Sequence, residues 1–363
     1  MLFCVPALVV ILLGTASFAQ DDYDDYRRQA DREYSDYLAR EAAEYAAYRE
    51  AVMARWNRFR ESTRRTWHRY SEDLNSLSSV DFADGEVRVE TIIPVDNPDP
   101  EAEAGKNISE QIRRLLSSGD SRDTAVLEGQ VAMPSGGIVD SGNVAAFIEE
   151  QVVPRIQIEK DTIQSADGVQ RIRASASFAL VPDHLRLRAE RYLPLVRRNC
   201  SELDLDVALV MAIIETESYF NPRAQSPAPA YGLMQLVPKS GARDAYRYLH
   251  DEDKVVAPSY LFVPENNVAL GCAYLAKLRD FEFAAVTDGD NQRLCMVASY
   301  NTGPGNVSKS LVGSRSVTKA VRQINRTDSE RLFTHLVRHL PYHETRDYLQ
   351  KVESRIANYL EWR

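Results

Sequence analysis

The sequence predicts a mainly α-helical protein in which a small α+β domain, residues 76–185, separates a long N-terminal helix from a larger helical domain, residues 186–363. Three observations predict this organisation. Neither Gly nor Pro occurs between Gly14 and Gly85, so the first part of the chain can be continuously helical. An apolar alternation of period two then begins near residue 78. After it, a helical pattern runs almost to the end, interrupted by loops rich in Pro, Gly, Asn and Ser.

The first twenty residues are typical of an export signal. An apolar run is followed by small residues, with Ser17 and Ala19 at the positions that signal peptidase prefers before Gln20, so we expect residues 1–19 to be removed. The positive charge that usually precedes such a run is missing, which leaves an uncleaved anchor or a misplaced start as alternatives. Cys4 lies too early for lipid attachment. We therefore expect a periplasmic protein without a lipid anchor, either free or associated with the outer membrane or cell wall.

Residues 20–75 form the predicted helical arm, in which aromatic side chains recur every eleven residues. Eleven residues make three turns at about 3.67 residues per turn, so the aromatic side chains share one stripe. The stripe can pack against the protein itself or a second copy, or it can stack on sugar rings of a cell-wall partner. The two series are Tyr23, Tyr34, Tyr45, Trp56 and Trp67, and Tyr26, Tyr37, Tyr48, Phe59 and Tyr70.

The small α+β domain is predicted from short segments. "VDFADGEVRVETIIPV" alternates with period two around "ADG", which indicates a β-hairpin. "VDNPDPEAEAG", residues 95–105, indicates an acidic loop, "ISEQIRRLL" a short helix and "RIRASASFALVP" a long strand. We find no catalytic set of residues in this domain.

Charge and cysteine content exclude several classes of function. A net charge of -9 gives no basic surface for nucleic acid. Without the signal, Cys200, Cys272 and Cys295 remain, an odd number that argues against a disulfide framework. The three cysteines can be small buried apolar residues, or Cys272 and Cys295 can form one bridge. The spacings of the Cys and His residues predict no metal site.

Two carboxylates end one of the most apolar helical segments, "LDVALVMAIIETESYF". Glu217 continues the stripe formed by Val210, Ile213 and Ile214. Burial and the negative end of the helix dipole both raise the pKa of a carboxyl group at that position, as a general acid requires. Glu215 lies about 200° away around the helix, so the two acids cannot face one cleft. We expect Glu215 to be a surface or supporting residue, and the helix to end at Asn221 and Pro222.

Three blocks of the helical domain resemble lytic transglycosylases with the soluble-transglycosylase catalytic domain. They occur in the order of that family and are "ETESYFNPRAQSPAPAYGLMQLVP", "ASYNTGPGNV" and "LPYHETRDYLQKV". Upstream, "VDFADGEVRVETI" and "ALVPDHLRLRAERYLPLVRR" resemble the C branch of the membrane-bound lytic transglycosylases. The resemblance covers roughly residues 75–360 and implies a lysozyme-like catalytic domain. Members of this branch are usually lipoproteins, from which this chain departs.

The resemblance also implies roles for individual residues. The acid before Ser218, which is Glu217, is the catalytic acid of the family pattern, and Glu344 matches an acid that we interpret as structural or as a partner of the site. The resemblance places the substrate-contacting positions of the family at Ser226, Gln235, Tyr300, Asn301 and Tyr348. Core packing is the alternative role for the two tyrosines in this set. Tight turns beside the cleft are expected at Gly232, Gly303 and Gly305.

The implied activity is cleavage of the β-1,4 bond between N-acetylmuramic acid and N-acetylglucosamine in peptidoglycan glycan strands. Glu217 protonates the glycosidic oxygen, the 2-acetamido group assists, and the 6-hydroxyl closes on the anomeric carbon to leave a 1,6-anhydromuramyl end. No metal or organic cofactor is implied. Two alternatives remain: a lysozyme-type hydrolase of the same fold, and a non-catalytic cell-wall-binding scaffold in which the aromatic arm is the working part.

Overall fold

The computed structural model of the chain describes residues 11–116, 127–226 and 229–363. Residues 1–10 of the predicted signal lie outside the described residues. The chain divides into two units, Met1–Arg49 and Glu50–Arg363. As predicted, the described protein is mainly α-helical and contains one small sheet, of five strands.

The strands are β1 (Thr66–Tyr70), β2 (Ser76–Asp81), β3 (Glu86–Pro94), β4 (Gln157–Gln164) and β5 (Gln170–Ala179). The helices are α1 (Ile11–Trp56), α2 (Pro100–Leu116), α3 (Val144–Phe147), α4 (His184–Leu203), α5 (Val207–Ser218), α6 (Arg243–His250), α7 (Pro258–Leu261), α8 (Pro264–Lys277), α9 (Gly289–Thr302), α10 (Pro304–Val312), α11 (Val317–Ile324), α12 (Ser329–His339) and α13 (His343–Ile356). The last turn, Ala357–Trp362, is a 3-10 helix.

The predicted helical stretch of residues 20–75 is too long, because α1 ends at Trp56. Asn57 follows with a φ of 58°, a left-handed conformation that Asn tolerates at a helix end. Residues 66–70, "TWHRY", then form β1, which pairs antiparallel with β2 from Thr66 opposite Asp81. The absence of Gly and Pro permits a helix but does not require one. A run of alternating aromatic and polar residues pairs instead with the strand beside it.

The aromatic residues at the end of the predicted stripe are part of a hydrophobic core. Trp56 is almost fully buried, its ring makes an edge contact with Tyr70 at 5.6 Å, and its indole Nε1 donates a hydrogen bond of 2.7 Å to the Leu74 carbonyl oxygen. Trp67 belongs to the core on the other face of the sheet. In contrast, Tyr45 is 48% exposed. The eleven-residue period therefore predicts a single stripe only within α1.

The sheet has the order β1-β2-β3-β5-β4 and is antiparallel throughout. The predicted hairpin is confirmed as β2 and β3, joined at Asp81 and Glu86, and the predicted long strand is β5. The two faces alternate along β3: Val87, Val89 and Ile93 belong to a core that includes α2, whereas Ile92 packs with Trp56. The predicted helix at residues 108–116 is also confirmed, but α2 begins earlier, at Pro100, within the predicted loop.

The helical region is built around α5. Every residue from Ala208 to Ile214 is buried, so this helix is apolar on all sides and occupies the centre of the core. It packs against α4, α13 and the C-terminal turn Ala357–Trp362. A central helix of this kind holds its last residues in fixed positions inside the protein.

Arg188 of α4 connects the sheet to the helical region. Its guanidinium donates to the Phe82 carbonyl oxygen at 2.7 Å, the Gln130 Oε1 at 2.7 Å and the Tyr219 carbonyl oxygen at 3.1 Å. Burial lowers the pKa of Arg188 to about 10, so the group remains charged at neutral pH. Because a buried cation needs partners of this kind, the hairpin turn and the end of α5 are held together.

Cys200, Cys272 and Cys295 are free and buried. The prediction of three buried small residues is confirmed, and the alternative bridge between Cys272 and Cys295 is not formed. The thiol of Cys272 interacts with that of Cys200 instead. Within the described ranges, no set of His, Cys, Asp or Glu side chains is grouped to bind a metal ion.

None of the helices in the part of the chain that the structure describes has the length and apolar character needed to cross a bilayer.

We predict that Trp56→Ala lowers the free energy of unfolding by about 3–5 kcal/mol, because it removes a large buried ring and leaves a cavity beside the sheet. Tyr45→Ala, one repeat earlier on α1, is the matched control and should cost less than about 1 kcal/mol. Urea denaturation followed by circular dichroism measures both. Equal losses in the two variants would show that the end of α1 does not anchor the sheet.

Candidate active site

Glu217 lies in the last turn of α5 and its side chain is buried. Burial raises the pKa of the carboxyl to about 7, and the charge of Glu344 adds to this effect. The charge of Arg64 and an interaction with the Tyr348 hydroxyl act in the opposite direction. A carboxyl group with this pKa is partly protonated at neutral pH, as a general acid requires.

The helix ends immediately after the acid, earlier than the Asn221–Pro222 end that the sequence predicts. α5 stops at Ser218, and Tyr219 and Phe220 have φ values of 50° and 60°. Two consecutive non-glycine residues in the left-handed region are unfavourable and need support from their surroundings. Phe220 is fully buried, and the Tyr219 carbonyl oxygen accepts a hydrogen bond from Arg188. The chain therefore reverses directly beyond Glu217.

Glu215 is not a surface residue, so that part of its prediction is wrong. Its carboxylate is buried, with Oε1 at 2.9 Å from Arg355 Nε and Oε2 accepting a hydrogen bond of 2.7 Å from the Tyr359 hydroxyl. These partners lie on α13 and the C-terminal turn. Glu215 therefore joins α5 to the end of the chain and faces away from Glu217. This is the supporting role that the sequence predicts as the alternative to a surface position.

The loop that carries Gln235 is shaped by Gly232 and Asn267. Gly232 has a φ of 77°, and a Cβ atom there would lie 2.3 Å from the Leu261 carbonyl oxygen. Asn267, fully buried on α8, donates to the Tyr231 carbonyl oxygen at 2.8 Å and accepts from the Met234 amide at 2.7 Å. Sequence reasoning missed Asn267. Its signal is an amide that, together with Asn266, directly precedes an apolar stretch of helix.

Ser218 ties this loop to α5. Its hydroxyl donates a hydrogen bond of 2.7 Å to the Leu233 carbonyl oxygen. Gln235 then reaches the cleft with its amide nitrogen donating to Ala224 and Gly232 carbonyl oxygens at 2.9 and 3.0 Å. The residue after the acid therefore fixes the distance between Glu217 and the loop.

A cleft of about 440 Å³ opens in front of Glu217. Its volume is in the range of pockets that bind small ligands or part of a polymer. Of the predicted site residues, those that line it are Glu217, Gln235, Tyr300, Asn301 and Glu344. Tyr348 is buried behind this surface, next to the Glu217 carboxyl. Ser226 is buried and is not among the described residues that line the cleft.

The polar side chains of the cleft are held by hydrogen bonds. The Tyr300 hydroxyl donates to the Met234 carbonyl oxygen at 2.8 Å, and the Asn301 Oδ1 accepts from the Thr345 hydroxyl at 2.7 Å. Burial and the charge of Glu217 raise the pKa of Tyr300 well above its ordinary value, so the phenol stays protonated. Asn301 retains its NH₂ group as a donor because its oxygen is already engaged.

Of the two glycines near Asn301, only Gly303 makes a turn. It has a φ of 82° and separates α9 from α10. Gly305 lies in the first turn of α10, where a Cβ atom would make only ordinary contacts at 3.6 Å or more. The prediction of a tight turn at Gly305 is therefore wrong.

Arg64 is a cleft residue that sequence reasoning missed. It lies before β1, and its Nη1 is 3.2 Å from Glu344 Oε1 and 3.9 Å from Glu217 Oε2. No motif marks it, because these two contacts span much of the chain. The only signal is an arginine-rich segment, "RWNRFRESTRR", just before the sheet.

Comparison with known proteins identifies the family. The sequence profile described as "Transglycosylase SLT domain" matches residues 195–322. The membrane-bound lytic murein transglycosylase C of Histophilus somni (strain 2336) is 37% identical over 180 residues, which are 50% of this chain and 49% of that protein. The chain thus spans about half the length of that relative. The protein of the same name from Actinobacillus succinogenes is 30% identical over 295 residues, 78% of each chain.

Two solved structures are also similar to parts of the chain. An inactive mutant of the lytic transglycosylase Slt from Pseudomonas aeruginosa shares 28% identity and covers 46% of this chain and 24% of its own, with a TM-score of 0.35. The 70 kDa soluble lytic transglycosylase of Escherichia coli shares 26% identity over 46% of this chain and 24% of its own, also with a TM-score of 0.35. Because the chain matches 78% of the Actinobacillus relative at 30% identity, it belongs to the family of membrane-bound lytic murein transglycosylase C.

Proposed function

We propose that this protein is a lytic transglycosylase that cleaves the β-1,4 bond between N-acetylmuramic acid and N-acetylglucosamine and leaves 1,6-anhydromuramyl ends. The observation that carries the proposal is the buried Glu217 carboxyl, with a pKa of about 7, at the wall of a cleft of about 440 Å³. Family membership supports the same activity. The substrate is then the glycan strand of peptidoglycan.

One protonated carboxyl is enough for this reaction. Glu217 donates its proton to the glycosidic oxygen, and the 2-acetamido group assists departure of the leaving sugar. The 6-hydroxyl of the same muramic acid then attacks the anomeric carbon and returns a proton to the Glu217 carboxylate. Because the nucleophile belongs to the substrate, the second step is unimolecular and needs no bound water.

The neighbours of Glu217 have complementary tasks in this proposal. Asn301, whose oxygen is engaged by Thr345, donates from its NH₂ group to the acetamido oxygen. Tyr300 donates its hydroxyl proton to the Met234 carbonyl oxygen, which leaves the phenol oxygen able to accept a hydrogen bond from a sugar hydroxyl. Gln235 contacts the sugar from the loop, Tyr348 supports the Glu217 carboxyl from behind, and Ser226 positions that loop.

The hydrolytic alternative would use Glu344 as a base for a water molecule. Glu344 contacts the same guanidinium nitrogen as Glu217, so a second carboxylate does lie near the acid. Glycosidases that use two carboxyl groups need the second one to activate water or to form a covalent intermediate. We favour the anhydro product because Glu344 is 66% exposed on the cleft rim and is ion-paired with Arg64.

We also propose that the protein is exported to the periplasm and that α1 associates with a second copy of the chain. Tyr45 and Tyr48 are exposed and three residues apart, so they lie on the same side of α1. An exposed row of aromatic side chains on a long helix is more favourable when it packs against another such row.

The first prediction concerns the acid itself. Glu217→Gln should lower the release of anhydromuropeptides from sacculi by more than about 100-fold, because the amide cannot donate a proton to the leaving oxygen. Mass spectrometry distinguishes the proposed product, which is lighter than the hydrolytic product by one water. Glu215→Gln, two positions away, is the control and should retain activity at temperatures where it is folded. Reducing ends in the wild-type digest would support the hydrolase instead.

The second prediction concerns stability and pH. The pKa of Glu217 in the folded protein, about 7, lies above the ordinary value of 4.5, so unfolding releases a proton between these values. The carboxyl therefore has no effect on stability below about pH 4 and destabilises the folded state increasingly as pH rises through 7. Glu217→Gln should be more stable than wild type by about 3 kcal/mol at pH 8 and similar to it near pH 4.

The matched variant for this measurement is Glu215→Gln, for which we expect the free energy of unfolding at pH 8 to fall rather than rise. It breaks a buried ion pair with Arg355 and should lose about 1–3 kcal/mol at pH 8. Chemical denaturation at both pH values measures the two free energies. If Glu217→Gln is destabilised at pH 8, the carboxyl is not buried in the folded protein.

The third prediction concerns the arm. If α1 associates with a second copy, sedimentation equilibrium of the full chain should give a dimer mass, and the double variant Tyr45→Ser, Tyr48→Ser should shift the equilibrium at least tenfold towards the monomer, which corresponds to about 1.4 kcal/mol. Glu44→Ser, also exposed on α1, controls for a loss of helix stability. A wild-type monomer that binds sacculi through the same tyrosines would favour contact with sugar rings.

A further inference from the structure

Arg64 is the one positively charged side chain among the described residues that line the cleft. Its side chain is 33% exposed, so a ligand in the cleft can reach the guanidinium. The Nη1 atom contacts Glu344 at 3.2 Å and approaches Glu217 at 3.9 Å. A cation in this position faces whatever part of the substrate lies next to the acid.

The position of Arg64 is fixed by the segment that carries it. Residues 57–65 connect α1 to β1, and the arginines on either side of Arg64 are anchored to acids of the sheet. Arg60 lies 2.6 Å from the fully buried Glu90, and Arg65 lies 3.1 Å from Asp81. The Arg60 amide also donates to the Tyr70 hydroxyl at 3.1 Å. Since the segment is tied on both sides, Arg64 is directed into the cleft by the sheet.

The raised pKa that Glu217 requires as a proton donor does not explain the presence of Arg64. Its charge lowers the pKa of Glu217 and so opposes the effect of burial. The pairing with Glu344 does not explain it either, because an ion pair with a carboxylate that is 66% exposed contributes at most about 1 kcal/mol. A weakly held guanidinium beside the catalytic acid is, however, suited to exchange its partner for another anion.

We propose that Arg64 recognises a carboxylate on the peptide attached to muramic acid, and that this carboxylate replaces Glu344 as its partner when the substrate binds. The inference rests on the proposed function. The sugar rings of the glycan strand are neutral, so the negative charges of the substrate lie on the peptide stems. A planar guanidinium can bind a carboxylate through two parallel hydrogen bonds, which adds geometric selectivity.

The exchange would also benefit the reaction. The substrate carboxylate adds a negative charge to a cleft that already holds Glu344, and this added charge helps Glu217 to keep its proton. The charged and titratable groups that face Glu217 are Arg64, Glu344, Tyr348 and Tyr300. Arg64 is the cation of this set, and each carboxylate beside it offsets its lowering effect on the Glu217 pKa.

The test compares two substrates with the same glycan length. One is a muropeptide oligosaccharide with free stem carboxylates, and the other is the same compound with its carboxylates converted to methylamides. At about pH 5.5, where Glu217 is largely protonated, we expect wild-type kcat/KM to be about tenfold higher on the free carboxylate, as a charged hydrogen bond predicts. Arg64→Gln should lose this preference and act on the methylamide within about twofold of wild type.

The control is Arg113→Gln, which removes an exposed arginine of α2, a helix with no residue among the described residues that line the cleft. It should keep the wild-type preference. A second readout is the basic limb of kcat/KM against pH on the methylamide substrate. This limb should move to higher pH in Arg64→Gln, because removing the cation raises the pKa of Glu217 in the free enzyme.

If Arg64→Gln lowers kcat/KM equally on both substrates, the inference is overturned. Arg64 then has only a structural role, in which it joins the sheet to α13. An unchanged preference for the free carboxylate would overturn it as well. If the wild-type protein releases no anhydro product from either compound, the proposed function fails while Arg64 can still be tested. Calorimetric affinities for the two compounds, in wild type and Arg64→Gln, then give the same comparison without turnover.

Discussion

The burial of the Glu217 carboxyl is the constraint on which the arrangement of the helical region depends. Only a helix that is apolar on every side can place its last turn inside a core, and α5 has this character from Ala208 to Ile214. A buried helix end also needs partners for its carbonyl groups. The Glu215 oxygen accepts from the Tyr219 amide, the Ser218 oxygen accepts from the Asn221 amide, and the Tyr219 oxygen accepts from Arg188. These contacts allow the chain to reverse beyond the acid without exposing it to water.

The two acids of α5 show how surroundings decide the behaviour of one functional group. Glu215 and Glu217 are equally buried and two residues apart, yet their partners differ. Arg355 and the Tyr359 hydroxyl bind the Glu215 carboxylate, whereas burial dominates at Glu217 and raises the pKa of its carboxyl to about 7. One carboxyl therefore joins α5 to the end of the chain, and the other keeps a proton available near neutral pH because burial favours its neutral form.

Local patterns in the sequence predicted those parts that depend on local contacts. The period-two alternation located the hairpin of β2 and β3, and the helical period placed Glu217 on the opposite side of α5 from Glu215. Features that depend on distant partners could not be predicted in this way. The sequence predicts a helix where β1 lies, because the pairing of β1 with β2 is a tertiary contact. It predicts Glu215 near the surface because Arg355 and Tyr359 come far later in the chain. No local pattern marks Arg64 either, since the acids it contacts lie on α5 and α13.

The anchoring of residues 57–65 on the sheet has a consequence for how such a protein can diversify. Glu217 belongs to the helical region, whereas the Arg64 cation that faces it is held through Glu90 and Asp81, which are strand residues. Substitutions in the strands can therefore move or remove the cation while leaving the core around α5 intact. In the proposed mechanism, the residue that selects the substrate and the residue that donates the proton are then encoded in separate parts of one gene, and either can vary under selection without loss of the other.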